Sequence, residues 1–432
     1  MYMPSSTISQ IPNSGLCTGC ATCAGICPTR AIAVRIDARR GSYVPAIDLQ
    51  RCTSCGLCYE VCPGRGTYFA KSNSEAKDRL FDDPFVGEYL KCYVGHSCDY
   101  RLRLNSSSGG MVTQLLIVAL EKGLIDGALV TKMSGNNPLR PKPFIAKTKE
   151  EILLAAQSKY CPVPVNIGLS EILKTPGRYA IVGLPCHIQG ARKAAQKNAT
   201  LRDRLVLYLG LACNHQPTFR ATEYLLKRIG VSENQVGRIE YRSKGWPGKM
   251  TITLKDGRKK LVDYSSLPYW GGAFSDFFYL ARCTICEDKL SEYADLSFMD
   301  AWLPEFSEKR MCESISISRT QTGEKLLQSA VSENVISVCE IPVEKVIASQ
   351  PAIASKRARA LHSARARLLQ QSHRAIPISR KALSRASTTD YIKALSLPLR
   401  MYISEKPSLW FIIDLYLRLS RSRRSSSAKT TR

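Results

Sequence analysis

Cys17-Thr18-Gly19-Cys20-Ala21-Thr22-Cys23-Ala24-Gly25-Ile26-Cys27-Pro28 is matched 35 residues later by Cys52-Thr53-Ser54-Cys55-Gly56-Leu57-Cys58-Tyr59-Glu60-Val61-Cys62-Pro63. Both runs read C-x-x-C-x-x-C-x-x-x-C-P, the ligand spacing of a bacterial-type ferredoxin with two [4Fe-4S] clusters. Two-residue gaps let three thiolates from one tight loop reach three corners of a cubane, and Gly19 and Gly56 ease the backbone around it. The fourth cysteine of each run points away and serves the other cluster. One centre is therefore assigned to Cys17, Cys20, Cys23 and Cys62, and the other to Cys52, Cys55, Cys58 and Cys27. Pro28 and Pro63 end the loops. A structural zinc site calls for two ligand pairs rather than a doubled four-cysteine run ending in proline.

The 432 residues suggest two to three domains. Seventeen cysteines in so long a chain argue against a disulfide scaffold, which belongs to short secreted proteins. Neither a signal peptide nor a run long enough to span a bilayer is expected, so a reducing cytoplasm fits. The formal charge of +26 is compatible with acidic partners, nucleic acid or anionic membranes.

Residues 10–70 thus form the ferredoxin domain, and residues 71–104, with Asp82-Asp83-Pro84, read as a connector in which Cys92 and Cys98 are ordinary thiols. Ser106-Ser107-Ser108-Gly109-Gly110 then opens a helix from Met111 that stops at Gly123. Strand-like segments at 126–131, 143–147, 179–183 and 205–211 alternate with helical ones at 149–156, 187–195 and 217–229. A hairpin turns at Asp256-Gly257. This alternation predicts a mixed α/β (α+β) domain over residues 105–345. Cys186 and Cys213 each follow a predicted strand, and Cys283-Thr284-Ile285-Cys286 is a C-x-x-C pair. Four thiols at converging strand ends could hold a third cluster; the spacing equally allows two buried thiols and a redox pair.

Taken in order, Ser107-Ser108-Gly109-Gly110, Glu121-Lys122-Gly123-Leu124-Ile125-Asp126-Gly127, Ser158-Lys159-Tyr160 and Gly183-Leu184-Pro185-Cys186 form a recognisable series. Tyr241-Arg242, Gly245-Trp246-Pro247-Gly248, Cys283-x-x-Cys286 and Ala294-Asp295-Leu296-Ser297-Phe298-Met299-Asp300-Ala301-Trp302 continue it. The chain resembles the coenzyme F-420 hydrogenase/dehydrogenase beta-subunit family over roughly residues 15–345, with the ferredoxin module often fused to it. The resemblance implies an oxidoreductase carrying FAD beside a third [4Fe-4S] cluster, which passes electrons between a deazaflavin F-420 and its iron–sulfur centres. It places that cluster on Cys186, Cys213, Cys283 and Cys286. It places the flavin at Ser107, Ser108, Gly109, Gly110, Ser158, Lys159 and Tyr160, where backbone N–H groups would meet flavin oxygens or phosphate and Lys159 would stabilise reduced flavin. Met299 stands where relatives commonly have glycine and is expected to crowd its turn. Relatives also include chlorophyll-pathway reductases and proteins encoded near polysaccharide assembly, so a ferredoxin-dependent reductase of a tetrapyrrole or polysaccharide precursor is an alternative. A non-enzymatic electron carrier is another. The partner is a redox protein or a small hydride carrier. No general acid or base stands out, and His187 is as readily structural as catalytic.

Residues 346–432 are a basic extension. From Ile353 onward it holds 18 Lys and Arg against 3 Asp and Glu. The segment Leu409–Leu419 is apolar and flanked by Lys406 and Arg421, Arg423 and Arg424. It reads either as a helix packed on its own domain or as a peripheral contact with an anionic membrane. Nucleic acid is not expected, since no nucleic-acid fold accompanies the charge.

Overall fold

A computed structural model describes residues 8–65, 81–243, 245–264, 266, 271–275, 277–309, 311–372 and 385–429. Eight strands build the central sheet: β1 (Lys91–Ser97), β2 (Gly127–Met133), β3 (Pro141–Ala146), β4 (Tyr179–Gly183), β5 (Leu205–Leu211), β6 (Leu296–Asp300), β7 (Ser314–Ser318) and β8 (Ile336–Glu340). Their spatial order is β8-β1-β7-β6-β5-β4-β2-β3. The inner strands β2, β4, β5 and β6 run parallel, with Ala180 level with Ala128 and Leu209 level with Leu296. Antiparallel strands flank them on both sides. Parallel strands have both faces covered, which explains why β4 and β5 are near-continuous apolar runs.

Helices Met111–Glu121 and Gln321–Ser332 cover one face, around Leu115, Leu207, Leu296 and Leu327. On the other face, helix Pro185–Lys197 packs through Ile188, Ala191 and Ala194. Ile26 and Val61 of the ferredoxin module belong to this same core. The module thus fills a place in the layer that covers the sheet. A second, three-stranded sheet (Val236–Ser243, Lys249–Leu254, Lys259–Asp263) carries the expected hairpin.

One sequence expectation changes. The stretch 71–104 was read as a connector, yet it contains β1, which is bonded on both sides by β7 and β8. Cys92 is buried in it as an ordinary core thiol. Polar His96 and Ser97, with Gly95 a weak strand former, hide its period. Of the two readings of the extension, the structure shows packing on its own domain: Trp410, Ile413 and Leu417 join the core of the three-stranded sheet, and helix Lys356–Ser372 lies against the segment Ala281–Ile285. Among the described residues, no helix is long and apolar enough to cross a membrane.

The module is docked by backbone as well as side chains. The Asn166 N–H donates to the Cys20 carbonyl (3.0 Å) and the Phe219 N–H to that of Gly41 (2.7 Å). Asn166 Nδ2 donates to Thr22 Oγ1 and to the His187 carbonyl, each at 2.8 Å. A Cβ at Gly25 would lie 1.9 Å from the Asn166 carbonyl oxygen, and one at Gly190 would lie 2.2 Å from Thr22 Oγ1. Gly25→Ala forces backbone from backbone, so we expect it to destabilise the holoprotein by about 3 kcal/mol. Gly135→Ala, where a Cβ meets nothing within 4 Å, should change stability by less than about 0.5 kcal/mol. Urea denaturation followed by cluster absorbance checks both.

Candidate redox site

None of the seventeen cysteines is in a disulfide. The two ferredoxin runs adopt one backbone twice. The third and fifth positions are left-handed in both: Gly19 (φ 69°) and Ala21 (φ 65°), then Ser54 (φ 56°) and Gly56 (φ 75°). Holding Ala21 and Ser54 in this region costs energy that surrounding contacts must offset. A short helix follows each run, Thr22–Gly25 and Leu57–Glu60. Burial pushes the Cys23 thiol well up, and its neighbours Cys20, Cys62, Cys17 and Cys58 push it further. Burial likewise carries Cys62 to about 12, with Cys20 and Cys17 beside it. Cys58 is raised first by burial and then by Cys55, Cys27 and Cys52. Each run's fourth thiol therefore lies among the other run's first three.

A second convergence lies at the ends of the parallel strands. Cys186 is the second residue of helix Pro185–Lys197, and Cys213 lies just past β5. Cys283 and Cys286 sit on and just after the turn Ala281–Ile285. The four line one cavity with Thr18 and Pro63 of the ferredoxin module. Burial raises the Cys186 thiol, and Cys20, Cys213, Cys283 and Cys286 raise it further. Four thiols gathered round one cavity would repel one another as thiolates, the state that a cationic metal core relieves. Gln216 lines the same cavity, and its side-chain nitrogen and oxygen are buried without a hydrogen-bond partner. Its N–H groups suit a cluster's sulfurs, while the Gln216 backbone N–H already donates to Cys283 Sγ at 3.3 Å. The donor set and the unpartnered amide fit a [4Fe-4S] cluster. Among the described residues no three His, Cys, Asp or Glu side chains close on a single metal ion; a cubane separates its ligands farther than one ion does.

Cations surround this cavity. Lys289 Nζ donates to the Cys283 carbonyl (2.8 Å) and to that of Asn214. Arg282 Nη1 donates to the Ile285 carbonyl at 2.8 Å. His187 is structural: its Nδ1 accepts from the Leu184 N–H at 3.1 Å, closing the first turn of its helix, and burial pulls it down to about 4.

Three of the residues expected around a flavin, Ser107, Ser158 and Tyr160, are brought together at Arg242, which is 2% exposed, while Ser108 Oγ donates to the Glu313 carbonyl at 3.3 Å. Ser107 Oγ donates to the Arg242 carbonyl (3.3 Å) and accepts from the Ser158 N–H (2.8 Å). Arg242 Nη1 donates to Asp300 Oδ2 (2.6 Å) and Tyr160 Oη (3.3 Å). Nη2 is buried without a hydrogen-bond partner. The guanidinium lies over the rings of Trp246 and Tyr264, and Trp302 packs against both. Two details differ from the sequence reading. Lys159 Nζ is committed to three carbonyls, of Ala155, Ala156 and Gln157 at 2.5, 2.7 and 2.9 Å, where it caps helix Lys149–Leu154; burial pulls it down to about 7. Met299 does not crowd the site. Alternation along β6 turns it into the core around Val86 and Ile315, away from Asp300. Gly109 and Gly110 answer to close packing: a Cβ at Gly109 would meet the Gly95 carbonyl oxygen at 2.6 Å, and one at Gly110 would meet Leu102 at 2.5 Å. Arg242 and Trp302 stood in the quoted sequence blocks, but nothing local gave them roles.

Residues 92–169 match the family model for the N-terminal part of the coenzyme F420 hydrogenase/dehydrogenase beta subunit, and residues 177–344 match that for its C terminus; together these exceed half of the chain. The chain belongs to the coenzyme F420 hydrogenase/dehydrogenase beta-subunit family. It is an oxidoreductase. Residues 16–65 match the 4Fe-4S dicluster domain. The beta subunit of coenzyme F420 hydrogenase from Methanosarcina barkeri is 26% identical, over 62% of this chain and 87% of that protein. Coenzyme F420-dependent sulfite reductase of Methanocaldococcus jannaschii is 25% identical, over 77% of this chain and 49% of that one. A chain of the F420-reducing [NiFe] hydrogenase complex from Methanosarcina barkeri covers 61% of this chain and 86% of its own, at 26% identity and TM-score 0.48. The beta-subunit match includes Arg242, Asp300 and all four cysteines of the strand-end cavity, and it ends before the basic extension.

Within this beta-subunit homologue, the Arg242–Asp300 pair makes a direct prediction. Asp300→Asn leaves a buried guanidinium uncompensated and should destabilise the protein by about 3 kcal/mol. Urea unfolding measures it, and unchanged stability would show that the neighbouring rings already satisfy the cation.

Proposed function

We propose that the chain passes electrons between a hydride-carrying cofactor of the deazaflavin F420 type, FAD and [4Fe-4S] clusters. The observation that carries this reading is the position of Cys186, whose thiol neighbours include Cys213, Cys283 and Cys286 and also Cys20 of the dicluster module. Three cysteine sets thus stand in series. Cys186, Cys213, Cys283 and Cys286 would hold a third cluster; Cys17, Cys20, Cys23 and Cys62 come next; Cys52, Cys55, Cys58 and Cys27 form the far end, where Cys55 is exposed. A flavin, when bound, supplies the conversion between two-electron hydride chemistry and single-electron chemistry.

The residues that would hold the flavin are Ser107, Ser108, Gly109, Gly110, Ser158 and Tyr160. Arg242 takes the electrostatic role first expected of Lys159, because Lys159 has spent its three donors on backbone. The buried, unpartnered Nη2 of Arg242 is a preorganised donor for an electron-rich ring or an anionic group, in a water-poor site where such a donor acts strongly. The helix Met111–Glu121 has no side-chain cap at Gly110, so its first N–H groups suit a phosphate. A redox protein would meet the far cluster's exposed end, and a small hydride carrier the Arg242 site. The same reading gives the basic extension a peripheral contact with an anionic membrane surface.

Anaerobically purified protein should contain about twelve irons and one FAD per chain, and Cys186→Ser about eight irons. About eight irons and no flavin in the unaltered chain would replace this reading with a non-enzymatic electron carrier. A flavin that reduced deazaflavin leaves oxidised would point to the ferredoxin-dependent reductase.

A further inference from the structure

The family match ends at residue 344, and the C-terminal helices beyond it carry apolar side chains on two opposite sides. Helix Thr388–Leu395 continues into Leu397–Glu405 through Ser396, which keeps helical angles (φ −72°, ψ −11°). Ala394, Leu397 and Ile403 are buried, while Ile392, Leu395 and Leu399 point outward at 62, 64 and 61% exposure. Helix Trp410–Lys429 repeats the pattern. Trp410, Ile413 and Leu417 are buried, and Phe411 and Leu415, one turn apart, are 63 and 55% exposed. Spacings of three and four make each outward set a stripe along its helix. Helices that are apolar all round are ordinarily covered on both sides, and here the protein covers only one.

The charges around the stripes say what covers the other. Lys393, Lys406 and Arg418 are exposed beside them. The three acidic residues of this region are consumed internally. Asp390 accepts from the Ser387 N–H (2.9 Å), Glu405 pairs with Arg39 (3.0 Å), and Asp414 pairs with Arg228 (2.7 Å) and Tyr224 Oη (2.6 Å). The outward surface therefore combines protruding aliphatic and aromatic side chains with unopposed cations, the composition of a helix that lies in a lipid interface. We propose that these two stripes insert into the headgroup–acyl boundary of an anionic bilayer, with the cations engaging lipid phosphates. This rests on the membrane contact proposed above for the extension as a whole, and it names the inserting side chains.

The test is co-sedimentation of the full-length holoprotein with vesicles of phosphatidylcholine alone or mixed with phosphatidylglycerol, alongside the Leu395→Ser/Phe411→Ser variant. Both residues are exposed, so the variant should keep the fold and cluster content. We expect binding to the anionic vesicles that weakens at least about tenfold in the variant. If the variant binds as well as the parent and salt of about 0.5 M releases both, the contact is electrostatic only: the stripes are overturned while the basic extension's contact stands. If neither protein binds, both readings fail. Concentration-dependent dimerisation abolished by the same substitutions would assign the stripes to a second copy of the chain and overturn the proposal.

Discussion

The close approach of Gly25, Asn166 and Gly190 is the constraint on which the rest of the molecule depends. A Cβ at Gly25 would collide with the Asn166 backbone and one at Gly190 with Thr22 and Asn166, and the Asn166 side chain bridges the dicluster module and helix Pro185–Lys197 by hydrogen bonds to both. The module is therefore a rigid part of the layer over the sheet rather than a tethered carrier. Rigid placement matters because electron transfer weakens steeply with separation. One buried asparagine fixes the loop bearing Cys20 to the helix bearing Cys186, and so sets that separation with little freedom left to vary.

Gathering twelve thiols in three sets is unfavourable for the chain alone, because each thiolate would sit, in part desolvated, among others of the same charge. Nearby cations offset part of this. Lys193 reaches the Cys62 carbonyl at 3.5 Å, and burial pulls its ammonium down to about 8. Arg282 reaches the Pro63 carbonyl, also at 3.5 Å, from the turn that carries Cys283. Burial pulls His362 of the extension down to about 3, with Lys289 and Arg282 opposing its proton as well. The extension is thus part of the surroundings of the strand-end cavity, which a reading of residues 346–432 as a separate tail misses.

How much could be read in advance depended on range. Ligand spacing within twelve residues announced the dicluster module, because one tight loop must supply three thiolates. The apolar runs of β4 and β5 announced buried parallel strands. Two kinds of information were not local. Strand β1 mixes polar residues with Gly95 and shows no clear alternation, and its pairing with β7 and β8 on both sides makes it a strand. Lys159 looked like a flavin cation until the three carbonyls of the preceding helix end claimed it, whereas Arg242, 83 residues farther on, owes its place to a different sheet. Met299 looked like an obstruction because its neighbours were known and its facing was not; one residue of strand alternation decides that.

Electron paramagnetic resonance of the fully reduced holoprotein, compared with its Cys186→Ser variant, tests the series arrangement most directly. Neighbouring paramagnetic clusters broaden one another's signals. The docked arrangement predicts an interaction-broadened spectrum that simplifies when Cys186 is replaced, because the Cys17/Cys20/Cys23/Cys62 centre loses a neighbour. A parent spectrum that is the plain sum of isolated clusters, unchanged in the variant, would contradict it.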